Sequence, residues 1–199
     1  MKESIKRNIR LFFYKYLNLD ILFVKPRPMI KFLKETNTLR GTEDLVGVEI
    51  GTECGENAFR MLENLPIKKL YLIDPHIEYG ESNETVERTQ KFLSKDEKRA
   101  KKRLKKYEDK IKFIKKTSEK AIKDIPDNLD FVYIDGNHDY EFVKKDIKLY
   151  YSKVKIGGVF GGHDFYRNGN KDGVARAILE KFNIKDLYFD DIDWWVIKN

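Results

Sequence analysis

Between residues 47 and 164 one pattern recurs: a short apolar run, a cluster of Gly, Asp, Ser or His at its end, then a polar stretch with helical spacing. The runs are 47–50, 69–74, 111–116, 129–135 and 159–162. Near-continuous apolar runs of this length suit strands covered on both faces. Between them lie helix candidates. Glu56 to Leu65 places Ala58, Met61, Leu62 and Leu65 on one face, and Pro66 ends it. Ser94 with Glu97 reads as a capping box opening a Lys-rich helix to about Asp109. Glu119 to Ile125, Tyr140 to Val154 and Val174 to Phe182 follow, and Gly157-Gly158 reads as the turn into the run at Val159. This alternation predicts an α/β fold with a parallel, doubly wound sheet.

The C-terminus breaks the rule. Asp186 to Phe189 and Trp194 to Lys198 are strand candidates joined only by Asp190-Asp191-Ile192-Asp193. That link is too short for a crossover helix, so the two strands are antiparallel neighbours. The expectation is a mostly parallel sheet with one antiparallel strand near its C-terminal edge.

The 199 residues suit one domain with a core of its own. The expected division is an N-terminal helical segment, residues 1–44, packed on a domain of residues 45–199. Met1 to Val24 is basic and aromatic, with Lys6, Arg7 and Arg10 ahead of Leu11, Phe12, Phe13, Tyr14 and Tyr16. It reads as an amphipathic helix packing on the domain. A peripheral membrane contact and a homodimer surface are the other readings of it. No apolar run approaches a membrane span. Cys54 is the one cysteine, which excludes an internal disulfide and fits a reducing, cytoplasmic setting. The net charge of +7 gathers in residues 91–123, with 15 Lys/Arg against 5 Asp/Glu. Such a stretch either attracts phosphates or forms a solvated helix face.

In open α/β sheets, ligands bind beyond the carboxyl ends of the strands. Those ends here carry Gly51-Thr52-Glu53-Cys54-Gly55, Asp74-Pro75, Thr117-Ser118, Asp135-Gly136-Asn137-His138 and His163-Asp164. The first turn has Gly-x-x-x-Gly spacing after an acid, Glu49, rather than the Gly-x-Gly-x-x-Gly of a pyrophosphate cradle. A cationic ligand suits Glu49 better than a phosphate does. Asp74 can accept hydrogen bonds from a ribose diol, or serve as a turn residue before Pro75. Asp135 and Asp164 end neighbouring runs and can hold a divalent cation such as Mg2+, with His163 alongside. His138 can take a proton from a substrate hydroxyl.

Residues 48–57, 72–75, 130–140 and 155–165 together resemble, in order, the motifs of class I S-adenosylmethionine-dependent methyltransferases. The Ile-Asp-Gly-x-His-x-Tyr and Gly-Gly-His-Asp-Phe segments are similar to those of the macrocin O-methyltransferase-like and small-molecule O-methyltransferase subgroup. The resemblance implies a Rossmann-like, seven-stranded sheet ending in a reversed hairpin. It implies a cofactor-binding set of Glu49, Gly51, Thr52, Gly55, Asp74, Pro75, Ser118 and Asp135. It also implies metal ligands at Asp135 and Asp164, with His163 a candidate third. Relatives often carry an acid where this chain has Asn137, and another where it has His163. That leaves His138 as the candidate base and Asp135 beside it as the second catalytic candidate.

The expected activity is therefore methyl transfer from S-adenosylmethionine to an oxygen of a small-molecule or sugar acceptor. Two other readings stay open. One is a nucleic-acid methyltransferase using the basic 91–123 segment. The other is a non-catalytic S-adenosylmethionine-binding protein of the same fold.

Overall fold

A computed structural model describes residues 25–40, 44–78, 89–166 and 173–199. The expected amphipathic helix at Met1 to Val24 lies outside the described residues. Seven strands form one sheet: β1 Leu45–Ile50, β2 Ile67–Ile73, β3 Ile111–Ile114, β4 Leu129–Ile134, β5 Val154–Gly162, β6 Tyr188–Asp190 and β7 Asp193–Ile197. Their order is β3-β2-β1-β4-β5-β7-β6, parallel except that β7 is antiparallel to both β5 and β6. The helices are α1 Pro28–Arg40, α2 Glu56–Asn64, α3 Gln90–Arg103, α4 Ser118–Ala121, α5 Tyr140–Tyr150 and α6 Gly173–Lys181.

The apolar runs make strands because the period of two sends alternate side chains into two separate cores. Val48, Ile50, Val132, Ile134, Phe160 and Trp194 face α4, α5 and α6, where Ala121, Val143, Ile147 and Ile178 meet them. Leu70, Leu72, Phe131, Tyr133 and Trp195 face the opposite way, against Met29, Ile30 and Leu33 of α1 and Ala58, Met61 and Leu62 of α2. Both faces are thus covered, and α1 belongs to the same core as the sheet.

Several boundaries differ from the sequence expectations. Helix α3 starts at Gln90, four residues before Ser94, with Thr89 as its cap, accepting from the Phe92 N–H. Glu97 is drawn instead to Lys101 at 2.7 Å and Lys115 at 2.6 Å, and those bonds hold its carboxyl down to about 2. The helix stops at Arg103, ahead of a single 3-10 turn at Lys105–Tyr107. Helix α5 likewise gives way at Tyr151 to a 3-10 turn. Strand β5 begins at Val154, so Gly157-Gly158 lies within it. Leu129 faces Val154 while Phe131 faces Val159, and the extra β5 residues bulge out, with Gly157 at φ 77°. The hairpin is tighter than expected: β6 ends at Asp190 and β7 starts at Asp193.

One buried carboxylate ties α1 to the sheet. Asp193 is 1% exposed. Its Oδ2 accepts from the Met29 N–H at 3.2 Å, in the first turn of α1. Its Oδ1 accepts from the Tyr133 hydroxyl at 2.8 Å and lies 2.6 Å from His163 Nδ1. A helix N-terminus presents unpaired N–H groups and a positive dipole end, so the acid suits this place. Asp193→Ala strands all three partners and should cost about 3 kcal/mol of unfolding free energy. Asp193→Asn, which keeps one of the two acceptor oxygens, should cost less. Urea denaturation of the two variants measures the difference.

Candidate active site

The parallel ladder continues one residue past the strand ends, and this sets the site. The N–H of Gly51 donates to Ile73 O at 2.8 Å, that of Asp74 to Ile114 O at 3.2 Å, that of Asp135 to Ile50 O at 2.8 Å and that of His163 to Ile134 O at 3.0 Å. The loops after β1, β2, β4 and β5 therefore leave the sheet side by side. Strand order reverses between β1 and β4, which opens a crevice there.

Gly51 stands at that point with φ +90°, and a Cβ on it would fall 2.0 Å from the Asp135 carbonyl oxygen. No side chain fits there, so the turn after β1 lies directly on the start of the loop after β4. Gly55, at φ +74°, opens α2, with the backbone of Ala100 in α3 close above it. Arg103 of α3 donates to the Cys54 carbonyl. The Lys-rich helix is thus the cover of the Gly-rich turn.

Glu49 is fully buried in β1. Its Oε1 accepts from Asn57 Nδ2 at 3.0 Å, and its Oε2 accepts no hydrogen bond among the described residues. Buried Thr52 lies beside this carboxylate and offsets part of its burial. Burial pushes the Glu49 carboxyl up to about 8, against which the Asn57 bond works. A buried acceptor without a donor favours a ligand that brings positive charge or N–H groups.

Asp74 braces the loops on both sides. Its Oδ2 accepts from the Glu53 N–H at 2.7 Å and its Oδ1 from the His76 N–H at 2.8 Å. Buried His76 closes the bracket, with Nε2 2.9 Å from the Glu53 carbonyl. Asp74 is therefore a turn residue, and its carboxylate oxygens keep lone pairs for further donors. Pro75 lies inside this bracket. Ser118 opens α4 beyond β3. Its carbonyl accepts from Tyr150 Oη at 2.7 Å, and its side chain bonds Asp146, whose carboxyl burial pushes up to about 7.

On the other side of Gly51, Asp135, His138 and Asp164 offer ligand atoms that all lie within 4.8 Å of one another. His138 Nε2 is 2.9 Å from Asp164 Oδ2 and 3.6 Å from Asp135 Oδ1. Asn137 Oδ1 accepts from the Asp139 N–H at 2.8 Å, an Asx turn that leads into α5. His163 turns away to Asp193. So the third donor beside the two acids is His138, and His163 belongs to the Asp193 network.

The sequence reading missed Arg27. Its Nη1 lies 2.5 Å from Asp135 Oδ2 and donates to Tyr133 Oη at 2.9 Å, with the guanidinium over the Tyr133 ring. Burial pushes Asp135 up, but His138, Arg27 and His163 more than offset it and hold the carboxyl below its ordinary range. The chain thus supplies its own cation to this acid.

A family model described as a methyltransferase domain matches residues 48–165. The chain belongs to that family. Its sheet, in the order β3-β2-β1-β4-β5-β7-β6 with β7 reversed, is the fold of class I S-adenosylmethionine-dependent methyltransferases. The matched span runs from β1 to the loop after β5 and holds every site residue described above except Arg27 and Asp193. Among curated proteins, this methyltransferase is 34% identical over 132 residues to an uncharacterised protein of Acanthamoeba polyphaga mimivirus. That match takes in 63% of this chain and spans about half, 54%, of the relative's length. Solved structures share the fold. The O-methyltransferase NovP superposes with TM-score 0.65 at 18% identity, over 86% of this chain and 78% of its own. An O-methyltransferase from Bacillus cereus in complex with SAH gives 0.61 at 17%, over 100% and 92%. TomG from Streptomyces achromogenes, in complex with SAM, gives 0.56 at 13%, over 100% and 91%.

The methyltransferase's acid–histidine set fits a divalent cation in donor number and spacing. Its mixed carboxylate and imidazole character suits Mn2+ better than all-oxygen Mg2+. Arg27 opposes such an ion where it now lies.

Glu49 gives the methyltransferase a pH signature. Its folded pKa of about 8 lies above the 4.5 of an unperturbed glutamate. Between those values the unfolded chain holds fewer protons on this group than the folded one, so stability falls as pH rises. The slope from this residue should reach about 1.4 kcal/mol per pH unit between about pH 5 and 8. Comparing urea midpoints of wild type and Glu49→Gln across that range isolates it; parallel curves would refute the assignment.

Proposed function

We propose that this enzyme methylates a hydroxyl oxygen of a small-molecule or sugar acceptor, with Glu49, Gly51, Thr52, Gly55, Asp74, Pro75 and Ser118 holding S-adenosylmethionine and Asp135, His138 and Asp164 handling the acceptor. The observation that carries this reading is the abutment of Gly51 on Asp135. It makes the Gly-rich turn and the acid–histidine cluster two walls of one crevice.

The cofactor is a cation. Glu49, short of one donor at Oε2, suits its amino group, and Asp74 has lone pairs left for the ribose hydroxyls. Ser118 opens α4 at the end of β3, the edge at which the resemblance puts the adenine. In the reaction an acceptor oxygen attacks the methyl carbon in line as the carbon–sulfur bond breaks. The S-adenosylhomocysteine released is neutral at sulfur. The hydroxyl proton passes to the His138 ring, and the imidazolium formed is held against Asp164, 2.9 Å from Nε2, and Asp135. Positioning does most of the work, because the sulfonium is already activated.

Asp135, His138 and Asp164 are also the residues that would hold a divalent cation. When bound there, it supplies a positive charge that orients the acceptor oxygen and lowers its pKa. A ring bound to a cation has no lone pair for a proton, so His138 serves one role at a time. Of the fifteen cations of the basic segment, Lys101 and Lys115 are engaged within the chain by Glu97, Lys106 by Glu63, Lys116 by Asp124 and Lys112 by the Tyr71 ring. Among the described residues no helix is long and apolar enough to cross a membrane. The names of the similar structures, NovP, TomG and the Bacillus cereus protein, are those of O-methyltransferases.

Calorimetric titration with S-adenosylmethionine should show 1:1 binding, weakened at least about tenfold by Asp74→Ala, the worth of one charge-assisted hydrogen bond. At pH 7 the wild type should release a proton on binding, as the cofactor's ammonium ionises Glu49. Buffers of different ionisation enthalpy measure that proton, and Glu49→Gln should abolish it. Once an acceptor is found by screening phenols and sugars, His138→Gln should lower kcat by about 10²–10⁴ with cofactor affinity kept. An unchanged kcat would rule His138 out as the base.

A further inference from the structure

Arg27 stands outside the matched family span, yet its guanidinium occupies the carboxylate on which the acid–histidine cluster centres. We propose that Arg27 and a divalent cation are alternative partners of Asp135, so that the guanidinium keeps the site metal-free and must swing off for a cation to bind. The inference rests on the site assignment above.

The backbone around Arg27 is pinned. Pro26 and Pro28 flank it, and Pro28 opens α1, where a fixed φ and a missing N–H cost nothing. The Arg27 carbonyl accepts from the Lys31 N–H at 3.0 Å, and the Met29 N–H is held by Asp193. The guanidinium is therefore delivered to one place. There it is 2.5 Å from Asp135 Oδ2, bonded to Tyr133 Oη and set against the Tyr133 ring.

The side chain is not sealed in. It is 22% exposed, against 17% for Asp135, so it can leave by rotation while the helix stays docked. Asp135 Oδ2 carries Arg27, and Asp135 Oδ1 lies 3.6 Å from His138. A cation shared by Asp135, His138 and Asp164 would take over the partner of the guanidinium and repel it. The two occupants thus oppose each other by charge across one carboxylate, Arg27 on Oδ2 and a cation beside His138 on the Oδ1 side. They also assign His138 differently. With Arg27 engaged the imidazole is available to a proton, and with a cation bound it is a ligand.

The test is calorimetric titration of the full chain with MnCl2, in wild type and Arg27→Met. The variant should bind Mn2+ at least about tenfold more tightly. Arg27→Lys, which keeps the charge on a more flexible stem, should fall between the two. Asp135→Asn should abolish binding in every background and so place the ion. Arg27→Gln serves as the charge-free variant if Arg27→Met does not fold. Equal or weaker Mn2+ binding in a folded charge-free variant would overturn the proposal, and so would absence of Mn2+ binding in both proteins. Titrating wild type with S-adenosylmethionine separates the failures. No cofactor binding sinks the site assignment, whereas normal cofactor binding with an unmoved Mn2+ affinity sinks the Arg27 inference alone.

Discussion

The site depends on the parallel pairing of β1 with both β2 and β4. Because β1 has neighbours on both sides, the chain must leave its end upward, into the crevice, and Gly51 makes that exit against the Asp135 carbonyl. Parallel strands put all their carboxyl ends at one edge. The pairing that builds the core therefore also gathers Glu49, Asp74, Asp135 and Asp164. Any residue with a Cβ at position 51 would push the ends of β1 and β4 apart, separating the Gly-rich turn from the acid–histidine cluster.

Gathering that many acids at one edge would be costly without cations, and the two halves of the crevice solve this differently. At Asp135 the chain supplies Arg27 and His138, and the acid stays ionised. At Glu49 the Asn57 amide, Arg27 and Thr52 offset burial only in part, and the acid is pushed up to about 8. The Asp135 half is satisfied by the chain's own cations; the Glu49 half is the one left short. Energy withheld at Glu49 when the chain folds is open to recovery by a donor or cation that reaches it.

Local chemistry explains which parts were legible in the sequence. Strand runs, the α2 face and the closing hairpin follow from apolar period and loop length, and both were readable. The strand ends Gly51, Asp74, Asp135 and Asp164 were readable because the fold class alone assigns function to that edge. Caps and pairings were not. Ser94 and Glu97 match a capping box, but Thr89 caps first and two lysines claim Glu97. His163 and His138 look equivalent, each beside or near an acid at a strand end. Their separation is decided by Asp193, thirty residues beyond His163, which appeared in the sequence as a loop residue. Arg27 left only the string Lys25-Pro26-Arg27-Pro28 as a signal, with its partner 108 residues away.

The reversed strand explains why Asp193 can do this. Were β7 parallel to β5, its first residue would lie at the far edge of the sheet, away from the crevice. Antiparallel pairing sets Trp194 opposite Gly162 and carries the turn before β7 to the end of β5, where the Phe165 N–H donates to Ile192 O at 3.1 Å. A strand start thereby contributes to an edge otherwise made of strand ends. Its carboxylate removes His163 from the acid–histidine cluster, aligns the Tyr133 hydroxyl and receives the first turn of α1. Through that turn it fixes where Arg27 reaches. The antiparallel hairpin is thus the element that joins the N-terminal helix to the crevice, and the reach of Arg27 to Asp135 is set through it.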